Sequence, residues 1–376
     1  MLAITLSACL PAERTPINIT DLAPMEGGLP PRANLKTVSG HSAEILRIFR
    51  LPAEVQAKFV TLISVDSRGA VLLWDLPQGG ARQLMQLQSG IGTLAMREEK
   101  LLMAASYDSV VRIYGLSTGT EIASLSDLKA RVVSLDFTPS GAGLLIGAAD
   151  GRIYLWNFAQ ELRSGGRSNL SKDARQKILE SYIGPAGLVS AVRAHPLGRL
   201  FFSGDWQGGL NAWYYYDADL FKGEYDKNLF GERFFGNKAI RTLAGRPDRL
   251  SVDHLQSSAD GTALLAGMQD GSLELWQVRG FRRSAVQPAH NGLILDMAIA
   301  PAANRVATIG RDGRLVIWDF TLGMRNDGGE AEGKIDKVME VSMPEARRVV
   351  FETTEKVVAG TKEGRLLEVS IIKQAA

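Results

Sequence analysis

The side chains best able to do chemistry in this sequence are four histidines and one cysteine. The histidines are His41, His195, His254 and His290, and the cysteine is Cys9. A zinc site needs three or four His, Cys or carboxylate ligands at defined spacings, and the sequence contains no such cluster. It also contains no nucleophile elbow and no glycine-rich phosphate loop. The sequence therefore predicts no metal site, no cofactor and no catalytic residue.

The four histidines lie within a sequence repeat, and the repeat predicts the elements that position them. Seven times, a short turn leads into a strand that ends in a large side chain. The copies are RGAVLLW (68–74), DSVVRIY (108–114), DGRIYLW (150–156), QGGLNAW (207–213), DGSLELW (270–276), DGRLVIW (312–318) and EGRLLEV (363–369). A period of about 40 residues indicates an array of small units, none of which can bury its apolar face alone.

The copy HNGLILDMAIAPAANRVATIGRDGRLVIWD (290–319) resembles the WD repeat of β-propellers. In that family one repeat forms a blade of four antiparallel strands, here named a to d, and a His, a Ser or Thr, a turn Asp and a Trp form a buried hydrogen-bonded tetrad. The resemblance implies that His290, Thr308, Asp312 and Trp318 form this tetrad. The chemistry is consistent, because a buried imidazole and a buried indole N–H each need a partner.

The other copies keep only parts of the tetrad. The first copy has His41, Ser64 and Trp74, but Arg68 occupies the turn position where the carboxylate is expected. In copies two, three and five the hydroxyl position holds Ala104, Ile146 and Ala266. We therefore expect a complete tetrad in the sixth copy alone.

The predicted fold is all-β: a seven-bladed propeller of four-stranded antiparallel blades, covering residues 33–373. The strand at 34–38 is expected to complete the last blade and close the ring, as in the family it resembles, because an open ring would leave an unpaired edge. Extra sequence lies at 158–177, 217–238 and 321–337. All three insertions fall between strands c and d, so they should emerge on one face of the disc, the bottom.

The start of the sequence resembles a bacterial lipoprotein signal, because LSAC follows a short apolar segment. On this interpretation residues 1–8 are the remnant of a signal peptide and Cys9 carries the lipid. Residues 9–32, with five prolines, form an extended tether. This predicts a lipid-anchored protein of the bacterial cell envelope, facing the periplasm, with the outer membrane favoured. The alternative is a free thiol on an unanchored cytoplasmic adaptor.

Two surfaces are candidates for binding a protein. The first is the residue before each b–c turn, on the top face of the disc, a position that resembles a recurrent contact site in WD-repeat proteins. Its predicted binding residues are Tyr107, Trp206, Gln269, Arg311 and Lys362. The second is the aromatic insertion, with Phe221, Tyr225, Phe230, Phe234 and Phe235. Aromatic and cationic side chains are enriched in interface hot spots, but each set also fits a simpler interpretation, an ordinary mixed surface or aromatics that pack the insertion down.

The function predicted from these features is a non-catalytic scaffold, monomeric itself and acting within a protein complex. Forty-three basic against 41 acidic side chains give a net charge of +2, which argues against a nucleic-acid partner. Contact with a membrane is expected only through the N-terminal lipid. The alternative from another class is an enzyme or small-molecule binder that uses the central channel.

Overall fold

Short apolar strands separated by Gly-containing turns form seven antiparallel sheets, each of four strands. The computed structural model describes residues 35–51, 60–76, 79–166, 178–183, 187–198, 200–215, 241–242, 250–323 and 332–371. Cys9, the predicted tether and the five aromatic residues of the 217–238 insertion lie outside the described residues. The lipidation of Cys9, the tether and the binding role of these aromatic residues therefore stay predictions.

The first four blades follow one another along the chain. Blade one has β2 (Ile45–Arg50), β3 (Val60–Asp66), β4 (Ala70–Asp75) and β5 (Gly80–Gln86). Blade two has β6 (Leu94–Arg97), β7 (Leu102–Tyr107), β8 (Val110–Gly115) and β9 (Thr120–Leu125). Blade three has β10 (Val132–Phe137), β11 (Leu144–Ala148), β12 (Arg152–Trp156) and β13 (Leu179–Ile183). Blade four has β14 (Val189–Ala194), β15 (Leu200–Asp205), β16 (Leu210–Tyr214) and β17 (Arg241–Thr242).

The last three blades complete the ring. Blade five has β18 (Val252–Ser257), β19 (Ala263–Met268), β20 (Ser272–Gln277) and β21 (Arg282–Pro288). Blade six has β22 (Ile294–Ile299), β23 (Arg305–Gly310), β24 (Arg314–Thr321) and β25 (Lys334–Ser342). Blade seven has β26 (Ala346–Thr353), β27 (Lys356–Thr361), β28 (Arg365–Ser370) and, from the start of the described chain, β1 (Leu35–Ser39).

The ring is closed by β1, as the sequence predicts. This strand pairs antiparallel with β28, from Leu35 opposite Val369 to Ser39 opposite Arg365. It is the outermost strand d of blade seven, and the next strand, β2, is the innermost strand of blade one. Blade seven therefore draws its strands from both ends of the described chain, and the fold is the predicted seven-bladed propeller.

The b–c turns are tight because a residue in each can adopt a positive φ. Six blades place a glycine there, and a backbone in this region suits glycine since it has no Cβ; these are Gly69, Gly151, Gly208, Gly271, Gly313 and Gly364. In blade two the turn instead has Asp108 at φ 56°. Aspartate tolerates this conformation better than most residues.

The core lies between neighbouring blades. Trp74, Trp156 and Trp213, which end strand c, are among the largest fully buried side chains, and each packs with apolar residues of its own and adjoining strands. Burying a large apolar side chain contributes about 1.5–3 kcal/mol, so these packed layers are the main stabilising term. The innermost strands contact each other around the ring and leave a central channel of about 430 Å³.

The described parts of the c–d connections lie at one end of the strands. In blade three the chain leaves Trp156 and forms helix α1 (Phe158–Arg163). In blade six the strands extend into the predicted insertion, because Thr321 of β24 pairs with Lys334 of β25. The connection between β24 and β25 is therefore shorter than the predicted insertion 321–337, because both strands extend into the predicted insertion.

Candidate functional site

The predicted tetrad of blade six forms in full. The Trp318 indole N–H donates to Thr308 Oγ1 at 2.9 Å, and Thr308 Oγ1 lies 2.8 Å from His290 Nε2. The other ring nitrogen, His290 Nδ1, lies 3.0 Å from Asp312 Oδ1. A consistent proton arrangement has the threonine hydroxyl donating to Nε2 and the Nδ1–H donating to the carboxylate. Gly310 is required beside this network, because a Cβ there would collide with the His290 ring.

Electrostatics fix the protonation of this tetrad. Burial lowers the pKa of His290 despite the nearby Asp312, so the imidazole is neutral. Burial acts to raise the pKa of Asp312, but hydrogen bonds from Arg314, the Asn291 N–H and His290 outweigh it and hold that pKa at about 2. The neutral imidazole can donate a hydrogen bond to the ionised aspartate, and no charge is then buried on the ring.

Blade one corrects the prediction that only the sixth copy keeps the whole tetrad. Trp74 Nε1 donates to Ser64 Oγ at 2.6 Å, and Ser64 Oγ lies 2.6 Å from His41 Nε2. The carboxylate that faces His41 Nδ1, at 3.0 Å, belongs to Asp66 at the end of β3. Arg68, at the turn position, is exposed, and its backbone N–H donates to Asp66. The acid has moved two residues towards the hydroxyl.

In blade four the aspartate is also displaced by two residues towards the hydroxyl, but no histidine takes part. Trp213 Nε1 donates to Ser203 Oγ at 2.8 Å. Asp205, two residues after that serine, accepts the backbone N–H groups of Gln207 and Gly209 at 2.8 and 2.9 Å. In blades one and four, the sequence pattern that marks the displaced aspartate is Ser-x-Asp. Blade six has Thr-x-x-x-Asp instead.

Blades three and five satisfy the indole in another way. Trp156 Nε1 donates to Glu161 Oε2 at 2.7 Å, and Glu161 lies on helix α1. Trp276 Nε1 donates to Glu274 Oε2 at 3.0 Å from the same strand. Since an unpaired buried N–H costs about 1–3 kcal/mol, these carboxylates replace the missing hydroxyls. These buried polar groups of the blades are thus structural.

The predicted top-face positions form a ring of equivalent sites. In six blades the backbone N–H of the residue before the b–c turn donates to a carbonyl near the start of strand a; the donors are Ser67, Ala149, Trp206, Gln269, Arg311 and Lys362. Because the same backbone hydrogen bond recurs, these residues occupy equivalent positions on the top face of their blades. Gln269, Arg311 and Lys362 are exposed.

Trp206 is the prominent member of this ring, since 56% of its surface is exposed. The indole lies against the backbone of Gly187, where a Cβ would collide with Nε1. Ile183, at the top end of β13, is 77% exposed. The top of blades three and four therefore presents two large apolar side chains to solvent.

Tyr107 differs from the other predicted top-face residues. It is half-buried and packs against the core between blades one and two. Its hydroxyl lies 3.3 Å from the hydroxyl of Tyr114, and the Arg112 guanidinium lies 5.6 Å from its ring centroid. Burial and the hydrogen bond with Tyr114 raise the pKa of Tyr107, although the Arg112 charge acts to lower it. Its side chain therefore has partners within the protein.

The upper half of the channel holds a polar network that links three blades. Asp296 on β22 accepts from Arg47 of blade one and from the backbone N–H of Val349 of blade seven, both at 3.0 Å. Arg348 of blade seven donates to the carbonyls of Leu46 and Leu295 on either side. These bonds join blades one and six across blade seven, so they reinforce the ring where it closes.

The two histidines that lie outside the tetrads each have a backbone partner. His254 Nε2 lies 3.0 Å from the Ile294 carbonyl, and His195 Nε2 lies 2.9 Å from the Gly261 carbonyl. Burial lowers the pKa of both. Among the described residues, no group of three or more His, Cys, Asp or Glu could hold a metal ion. In the same part of the chain, no helix has the length and apolarity needed to span a membrane.

Fold and site together define a β-propeller whose blades each bury a strand-c side chain between them. The family model described as WD domain, G-beta repeat matches residues 119–157 and 281–319. The crystal structure of the WD40 beta propeller domain of Doa1 superposes with a TM-score of 0.63 at 14% identity, covering 90% of this chain and 96% of that one, which shows the fold. The chain is a seven-bladed β-propeller, and two of its segments match the WD domain model.

Curated relatives cover about two thirds of the chain at low identity. The Ribosome biogenesis protein WDR12 homolog of Chlamydomonas reinhardtii is 24% identical over 69% of this chain and 60% of its own length. Telomerase protein component 1 of Rattus norvegicus is 24% identical over 62% of this chain and 8% of its own length. The Target of rapamycin complex subunit LST8 of Mus musculus is 23% identical over 60% of this chain and 59% of its own length. The chain thus spans less than two thirds of these relatives' lengths.

Proposed function

We propose that this propeller is a non-catalytic scaffold that docks a protein partner on its top face, with Trp206 as the central anchor. The observation that carries the proposal is the exposure of Trp206, a residue type enriched at the centre of interfaces. Ile183 extends the apolar area, while Arg311 and Lys362 supply exposed cations elsewhere on the same face. A partner with an apolar anchor point and acidic groups around it fits this surface best.

The similarity to relatives whose names place them in assemblies supports a role within a complex. The mouse relative is named as a subunit of a complex, and the algal relative as a ribosome biogenesis protein. Each name describes that protein alone. What transfers to this chain is the expectation of protein partners, and the identity of the partner has to come from experiment.

The experiment is a comparative pull-down with Trp206→Ala and wild-type protein, read by quantitative mass spectrometry. Leu197→Ala is the matched control, because Leu197 is 59% exposed but sits in the a–b turn at the opposite end of blade four. We expect partners that wild type and Leu197→Ala retain equally and that Trp206→Ala loses by tenfold or more, since hot-spot truncation costs about 2 kcal/mol or more. Equal recovery by Trp206→Ala would refute the top face as the docking surface.

We also propose that Cys9 anchors the protein to the bacterial cell envelope by lipidation. The support is the LSAC sequence, the absence of another cysteine, and the proline-rich segment between Cys9 and the propeller. Mass spectrometry of the N-terminus of the protein isolated from its own cells tests this. A lipid-modified Cys9 as first residue is the expected result; an unmodified Met1 favours the cytoplasmic adaptor instead.

A further inference from the structure

The lower half of the channel contains a cluster of charged side chains that the blade structure does not use. Arg50 comes from the end of β2 in blade one, Arg97 from β6 in blade two, and Arg193 from β14 in blade four. The acids are Asp136 from β10, and Glu98, which begins the short 3₁₀ turn Glu98–Lys100. All five line the same cavity.

Three of these five charged side chains are already paired. Arg193 Nη1 lies 3.6 Å from Asp136 Oδ1, and Asp136 also accepts the Ala194 backbone N–H at 2.8 Å. Arg97 Nε lies 3.1 Å from a carboxylate oxygen of Glu99, which is mostly exposed. Of the five side chains, these contacts leave those of Arg50 and Glu98 without a hydrogen bond or ion pair to another described residue. The Nε of Arg193 is also buried without a hydrogen-bond partner.

The arginines influence the charge of Glu98 electrostatically but form no ion pair with it. Burial raises the pKa of Glu98 to about 7, against the opposing effect of Arg50, Arg193 and Arg97. The arginines are close enough to act on its charge, yet none of them forms an ion pair with it. Because all four residues line the same cavity, a ligand in that cavity can contact the carboxyl group and the guanidinium groups.

The charge balance indicates the sign of that ligand. With Glu98 protonated, three arginines face Asp136 and Glu99, which leaves one positive charge. Blades five to seven contribute uncharged groups at this depth, such as Gln256, Ser258 and Phe351. Guanidinium groups bind carboxylates and tetrahedral oxyanions through charge-assisted hydrogen bonds, and a protonated carboxyl adds a donor.

We propose that the lower channel is a binding site for a small oxyanion, either a carboxylate or a tetrahedral anion. Arg50 and the free Nε of Arg193 would hold the anion, and the protonated Glu98 carboxyl would donate a hydrogen bond to it. Binding then takes place with Glu98 in its neutral form. The site is distinct from the top face, so its test stands apart from the test of partner docking.

The experiment titrates the full chain with sodium sulfate and, separately, with sodium acetate, in chloride of matched ionic strength at pH 6 and pH 8. Calorimetry gives the dissociation constant, and both probes keep one charge state across this range. We expect saturable binding of at least one probe, about tenfold weaker at pH 8 because Glu98 has by then lost its proton. Saturation by sulfate alone assigns a tetrahedral anion, and saturation by acetate alone assigns a carboxylate.

Two variants make the assignment specific. Arg50→Met should weaken binding by about tenfold or more, whereas Arg82→Met, the same change on the exposed outer strand β5, should leave it unchanged. Glu98→Gln should keep binding and lose its pH dependence. Binding that does not saturate in wild type, or that Arg50→Met leaves intact, overturns the proposal. Thermal unfolding confirms that each variant is folded.

Discussion

Blades one and six hold the tryptophan indole through a hydroxyl that a histidine and an aspartate position, whereas blades three and five pass the indole N–H directly to a glutamate. Trp74 and Trp318 use the first arrangement, and Trp156 and Trp276 use the second. The four side chains are buried to a similar degree. Each of these four indoles therefore has a hydrogen-bond partner, and the identity of the partner varies from blade to blade.

The largest effect is expected from the displaced carboxylate of blade one. Asp66→Ala removes the acceptor for His41 and for the backbone N–H groups of Arg68 and Ala70. Leaving several buried donors unpaired should lower the free energy of unfolding by about 3 kcal/mol. Arg68→Ala, at the turn position expected from the repeat, should change it by less than about 0.5 kcal/mol. Chemical denaturation measures both, and a larger loss for Arg68→Ala would restore the original assignment.

The hydroxyl of blade six should have a smaller effect. Thr308→Val keeps the shape but leaves the Trp318 indole and His290 Nε2 without their shared partner, so we expect a loss of about 2 kcal/mol. The reverse change in blade five, Ala266→Ser, adds a hydroxyl where Glu274 already accepts the indole. It should give no gain in unfolding free energy, and a gain of 1 kcal/mol or more would show that the hydroxyl is preferred over the glutamate.

The smallest effect belongs to blade three, where the acceptor comes from a short helix near the surface. Glu161→Ala should cost about 1 kcal/mol, because water can reach the vacated position more easily than in blade one. Gln160→Ala, its exposed neighbour on α1, is the control and should be near neutral. If both variants unfold at the same denaturant concentration as wild type, the Trp156 indole does not depend on Glu161.

The sequence predicts the architecture well because the architecture rests on period and turn chemistry, which are local. The blade-six tetrad and the closing strand are confirmed for this reason. Asp66 was missed because the turn was identified by its offset from the tryptophan, and Arg68 stands at that offset. Glu161 was missed for a different reason: a side chain from an inserted helix reaches Trp156 only once the connection has folded back.

For the surface residues, too, sequence position alone does not determine the tertiary environment. Trp206 stands out in the sequence because the repeat does not explain it, and its side chain is exposed. Tyr107 has the same position in the repeat but lies half-buried against Tyr114. The lower-channel cluster cannot be predicted from the sequence, because Arg50, Glu98 and Arg193 are far apart along the chain and line one cavity only in the closed ring.

The direction of the closing strand has a consequence for how the disc is presented. In β1 the chain runs from Leu35, at the level of the c–d connections, to Ser39, at the level of the b–c turns. The first described residue, Leu35, therefore lies on the bottom rim of the propeller. The first residue of the closing strand and the face that carries Trp206 therefore lie on opposite sides of the disc.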